Sequence, residues 1–174
     1  MFRAVVDTER ARRWGIRVGH SLNVVAELPR YVDDPMIPLG LRVAAIDAFF
    51  IHHRLLIEFL TRKRDQRDIR SHDYVGGFDL RTIDPDLYAR LDRDWLVASK
   101  QVAHMSVERD APVDAPFVEF VGATRLRAHA SDIFDAMSAF VRYLADKTSP
   151  YTPDFAGWLS EANSRRQAEP SGTA

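Results

Sequence analysis

The stretch from Leu39 to Leu60 restricts the fold more than any other part of the chain. On a helical wheel at about 100° per residue, Leu41, Ala45, Ala48, Leu55, Leu56 and Phe59 fill one broad face. Val43, Ala44, Phe50, Ile51 and Ile57 spread apolar surface over most of the remainder, and only Asp47, Arg54, Glu58 and Thr61 form an unbroken polar stripe. A helix apolar nearly all round is enclosed by others. The segment, starting between Asp34 and Gly40 and ending near Thr61, is therefore expected to be the central helix of a bundle, roughly 33 Å long at 1.5 Å per residue. Arg42, Asp47, His52, His53, Arg54 and Glu58 put too many ionisable groups in it for a membrane span.

Helical periods surround this segment. Val18, Leu22, Val25 and Leu28 recur at steps of four and three, with Pro29 ending or kinking that helix. Pro85 suits the first turn of another helix with Asp84 as its N-cap, and Leu87, Leu91, Trp95, Ala98, Val102 and Met105 supply its buried face to about Val107. A further stripe, Leu126, Ala130, Ile133, Met137, Phe140 and Leu144, marks a helix expected from about Pro116 to Asp146, and Asp154 to about Ala162 suits a short extra one. No strand-period run or internal repeat is present. The expectation is an all-α, up-and-down four-helix bundle over residues 16–160. A flexible arm (1–15), a charged inter-helix loop (62–84) and a disordered tail (161–174) complete it.

Composition narrows the function. With no cysteine among 174 residues, disulfides, thiolate metal sites and cysteine nucleophiles are out, and a reducing, cytoplasmic setting is the natural reading. The 24 basic and 25 acidic residues nearly cancel, which argues against a dedicated duplex-DNA binder. The first seven residues lack the apolar stretch of a signal peptide. There is no Gly-rich phosphate loop, nucleophile elbow or Rossmann fingerprint, and no cofactor is implied.

A few polar residues stand out. His52 falls inside the main apolar face of the central helix, where an imidazole needs partners or serves as an acid/base or ligand. Arg54 lies about 200° round the same helix, on a stripe with Asp47 and Glu58. It is either a surface i,i+4 partner of Glu58 or an anion-binding guanidinium. Lys100 and His104, four apart and on one face with Arg93, are either solvated surface or a phosphate-binding pair. His52, His104 and His129 come from three helices, the way bundles assemble metal sites. The motifs of such sites, HExxH and the di-iron ExxH pair, are absent, and no metal site is assigned. Arg67 and His72 fit the Rx4H spacing of HEPN-type ribonucleases, whose Arg and His meet across a dimer and cleave RNA without metal. Arg13–His20 fits the looser form, and about two such matches are expected from composition alone.

Several strings carry a resemblance. Phe50-Ile51-His52-His53-Arg54-Leu55-Leu56-Ile57-Glu58-Phe59-Leu60, Asp68-Ile69 with Asp73-Tyr74, and Ser99-Lys100-Gln101-Val102-Ala103-His104-Met105-Ser106-Val107-Glu108-Arg109 resemble a family of uncharacterised bacterial helical proteins. Its pattern is an H-x-R-x-L-I-x-F helix, an acidic loop and a K-x-x-A-H-[LM]-[ST]-x-x-R helix. The resemblance covers roughly residues 40–145 and singles out His52, Arg54, Asp68, Asp73, Lys100, His104 and Arg109. A HEPN-like bundle is the remote fold analogy.

Three roles are compatible with these residues. The first is binding of a protein partner or anionic ligand by an inter-helix cluster of His52, Arg54, Asp73, Lys100, His104 and Arg109. The second is a metal-independent, HEPN-like ribonuclease or toxin-system component using Arg67 and His72, or Lys100 and His104, in a possible homodimer with RNA as substrate. The third is a structural scaffold whose polar cluster is core hydrogen bonding.

Overall fold

The computed structural model describes residues 8–61, 70–107 and 121–168, with side chains described for 9–61, 70–100 and 121–168. These residues are all-α. Eight helices occur among them: α1 (Thr8–Glu27), α2 (Pro29–Val32), α3 (Leu39–Thr61), α4 (Ser71–Tyr74), α5 (Leu80–Ile83), α6 (Pro85–Val107), α7 (Ala123–Asp146) and α8 (Thr152–Gln167). Five are long and three are single turns. None is long and apolar enough to cross a membrane.

Contacts between helices give their directions. Ala11 on α1 meets Tyr74, which itself meets Phe59 of α3 edge-on, whereas Ser21 meets His52, so α1 and α3 run antiparallel. Arg90–Asp132 and Asp94–His129 make α6 and α7 antiparallel. His53–His129 and Phe59–Phe140 make α3 and α7 parallel. Phe140–Phe155 and Phe134–Arg166 set α8 antiparallel to α7. The long helices thus alternate in direction along the chain, with α8 as a fifth full member.

Three expectations need correcting. The described part of the supposed 1–15 arm, residues 8–15, is the first two turns of α1. Ala11 is buried there and its carbonyl accepts a 2.7 Å hydrogen bond from the Tyr74 hydroxyl. The described part of the supposed 161–174 tail continues α8 to Gln167 and buries Ala162. Residues 62–84 are not one long loop where described, because α4 and α5 interrupt them.

Local chemistry accounts for the helix starts. Asp84 caps α6, accepting from Leu87 N at 2.9 Å, with Pro85 in the first turn. Asp79 caps α5 through Arg81 N. Gly122 has no side chain to cap α7, and Asp33, from the loop after α2, accepts from Ala123 N at 3.1 Å instead. Gly15 and Gly19 let α1 approach α8: a Cβ at these positions would lie 2.6 Å and 2.7 Å from the Trp158 ring. The core is aromatic, with Phe49, Phe50, Phe140 and Phe155 fully buried.

Candidate functional site

Of the six residues expected on the main apolar face of α3, Ala45, Leu56 and Phe59 are buried, whereas Leu41 and Leu55 are exposed and Ala48 is half-buried. Its inward face is centred on Phe49, His53 and Leu60, flanked by Ile46, Phe50, Leu56 and Ile57. His53 is 0% exposed, so the core histidine is His53, whereas His52 is only half-buried at the seam with α1.

His53 lies under α6 and α7. Its ring stacks on Phe49, with centroids 5.4 Å apart, and meets the edge of His129 at 5.6 Å. Nε2 is 3.2 Å from the His129 carbonyl. A carbonyl only accepts, so in the neutral ring Nε2–H donates and Nδ1 keeps a bare lone pair. That Nδ1 is buried and has no partner among the described residues. Burial is the main reason the imidazole pKa is pushed down to about 4. The Asp94 charge opposes the shift and the nearby His129 adds to it. His53 is therefore neutral at pH 7.

Asp94 on α6 joins the two rings. Its Oδ2 accepts from His129 Nδ1–H at 2.8 Å and lies 4.0 Å from His53 Nε2. His129 Nε2 is then buried without a partner among the described residues. One donor atom from each of His53, Asp94 and His129 lies within 4.8 Å of the others. Two imidazoles and a carboxylate from three helices make a donor set that suits zinc or another imidazole-preferring divalent ion. The nitrogens that face Asp94 are His53 Nε2 and His129 Nδ1; the two buried unpartnered nitrogens are the other atom of each ring, free to carry its proton.

A second polar group lies at the α3–α6 seam. Glu58 accepts from Arg54 Nε and from the Trp95 indole, both at 2.9 Å, and Arg70 Nη1 is 3.9 Å away. Burial alone would raise the Glu58 pKa. The bonds from Trp95 and Arg54, with the charges of Arg54 and Arg70, outweigh it and hold the carboxyl below its usual range. Arg54 also stacks over Trp95 at 5.4 Å.

The residues selected from sequence are dispersed. His52 Nδ1 is 3.0 Å from Ser21 Oγ and its ring meets His20 edge-on. Burial, with His20 nearby, lowers its pKa. Asp73 accepts from Arg70 N at 2.9 Å and so caps α4, with His72 3.8 Å away. Lys100 is exposed. Arg67, Asp68 and Arg109 lie outside the described residues, as does the His104 side chain. Although no metal site was expected from His52, His104 and His129, His129 does reach a cluster of ligand-type groups, with His53 and Asp94 as its partners. Neither was selected from sequence. The signal that could have found them is positional: His53 sits four residues from Phe49 on the richest aromatic face of α3, and Asp94 sits on α6 one residue from Trp95.

No protein-family model, curated protein or solved structure matches the chain.

Proposed function

We propose that the protein is a binding module that takes a divalent transition-metal ion between α3, α6 and α7, with His53, Asp94 and His129 as ligands. The supporting observation is the approach of three ligand-type donors to within 4.8 Å of one another. A bound ion would draw these donors to about 2.0–2.2 Å from itself, and the His129 proton would move from Nδ1 to the unpartnered Nε2. His53 is neutral at pH 7, so ligation through Nε2, the nitrogen nearest Asp94, costs no net proton; its N–H would give up the His129 carbonyl and move to the unpartnered Nδ1. Three protein ligands leave a fourth position, which suits water or a small anionic ligand.

Equilibrium dialysis of the purified protein against zinc, with metal quantified in each compartment, tests this reading. Wild type is expected to bind one ion per chain. His129→Ala and Asp94→Ala, at partly exposed positions, should lose more than the roughly 10–100-fold in affinity that removal of a supporting hydrogen bond costs. Absence of stoichiometric binding by folded wild type contradicts the proposal and leaves the cluster as core hydrogen bonding.

Direct anion binding has one observation in its favour. Arg54 bonds Glu58 through Nε and keeps its side chain 36% exposed at the α3–α6 seam, so its guanidinium is open to an anion. A phosphate titration monitored through Trp95 fluorescence checks it, with Arg54→Gln as the variant that should lose the response.

A further inference from the structure

The outward side of α3 carries a second feature. Leu41, Ala44, Ala48, Ile51 and Leu55 follow one another at steps of three, four, three and four, which is the a/d spacing of a helix seam. They point away from the core: Leu41 is 62% exposed, Ile51 39% and Leu55 49%. On the wheel they span about 80°, between the α1 seam marked by His52 and the α6 seam marked by Arg54. The helix is apolar nearly all round, yet its own bundle covers only part of it. Isolated exposed leucines need no explanation, but these residues follow one another in a single stripe along the helix.

The polar residues beside the stripe indicate the occupant. Asp47 and Arg54 flank the same side, seven residues apart. Asp47 is half-buried, with no hydrogen bond or ion pair among the described residues, and burial raises its pKa. Arg54 bonds Glu58 through Nε, and its side chain remains 36% exposed. In an antiparallel pair of α3 helices with Ala48 of each opposite Ile51 of the other, Ala44 meets Leu55. Asp47 and the other copy's Arg54 are then offset by about 3 Å along the axis, at 1.5 Å per residue. The two-fold axis forms this pair twice. The stripe is thus self-complementary in spacing and in charge, as an isologous interface requires.

We propose that α3 is a self-association face, on which a second copy of this chain packs antiparallel about a two-fold axis, with Ala48 and Ile51 at the crossing and Asp47 of each copy opposite Arg54 of the other. The stripe is about 21 Å long and about 10 Å wide. That is on the order of 200 Å² per copy, well below the ~800 Å² per partner of a standard stable interface. The dimer is therefore weak and dissociates on dilution.

Sedimentation equilibrium of the full chain, from low micromolar to millimolar concentration, tests the proposal. A reversible monomer–dimer equilibrium is expected. Leu55→Glu and Ile51→Glu, at positions exposed in the monomer, should abolish it while circular dichroism stays that of wild type. Asp47→Lys opposes two like-charged pairs and should weaken association at least about tenfold. The chain has no cysteine, so the register is readable by cross-linking: a mixture of Ala48→Cys and Ile51→Cys chains should oxidise to a covalent dimer faster than either variant alone. A monomer at every concentration, or a dimer indifferent to Leu55→Glu and Ile51→Glu, overturns the proposal. Neither result bears on metal binding, which depends on the opposite face of α3.

Discussion

The two sides of α3 are built from similar residues and do opposite things. The inward side packs Phe49, Phe50, Leu56, Ile57 and Leu60 around one buried imidazole, His53. The outward side carries Leu41, Ile51 and Leu55 in the open, with a carboxylate, Asp47, at its edge that has no partner among the described residues. Hydrophobicity does not distinguish them, but neighbouring chemistry does. The inward side faces Asp94 and His129, whose polar atoms give the imidazole a role, whereas the outward side lies between two seams with no helix over it among the described residues. Among the described residues, the bundle covers the inward side of this helix and leaves Leu41, Ile51 and Leu55 on the outward side exposed.

Substitutions on the two sides should differ most in what they cost the monomer. Phe49→Ala empties a fully buried site and should lose about 3–5 kcal/mol in chemical denaturation at low protein concentration. A loss under 1 kcal/mol would mean that the inward side is not packed as described.

The pH dependence bears chiefly on His53, the fully buried imidazole. Its folded pKa of about 4 lies below the unfolded value near 6.5, so the unfolded chain binds a proton that the native protein excludes. Stability is full above about pH 6.5 and declines as pH falls towards 4. The expected loss is about 3 kcal/mol across that window in metal-free protein. Denaturation at a series of pH values in chelator should show this decline, and His53→Gln should flatten it.

Glu58, on the border between the two sides, should be intermediate. Glu58→Gln keeps an oxygen for the Trp95 indole but leaves Arg54 and Arg70 without their shared charge, a loss of about 1–2 kcal/mol. Leu55→Ala is expected to have the smallest effect, within about 0.5 kcal/mol in dilute solution. Its consequence should appear only at concentrations where the chain self-associates.

Much of the architecture was legible in the sequence. The Asp84–Pro85 start of α6 and the extent of α3 follow from capping chemistry and the apolar period, and both are observed. The beginning of α1 was hidden because its first turns are dense in arginine. They are held by Ala11 and by Gly15 and Gly19 against Trp158, contacts with no local signature. The site was harder. Choosing between His52 and His53 requires knowing which side of α3 faces inward, and on a helix apolar nearly all round the period does not decide it. Asp94 reads as ordinary helix surface until α7 brings His129 within 2.8 Å of it. Asp73 looked like a ligand-binding acid and is a helix cap, a role set by its spacing of three from Arg70.

The most direct test of the central claim is a titration of metal-free protein with cobalt(II), followed by visible absorption. Ligation by His53, Asp94 and His129 with one further ligand predicts the intense visible bands of four-coordinate cobalt, saturating at one ion per chain and absent from His129→Ala and Asp94→Ala. Folded wild-type protein showing only the weak spectrum of hydrated cobalt at excess metal would contradict the claim and return His53, Asp94 and His129 to a purely structural role.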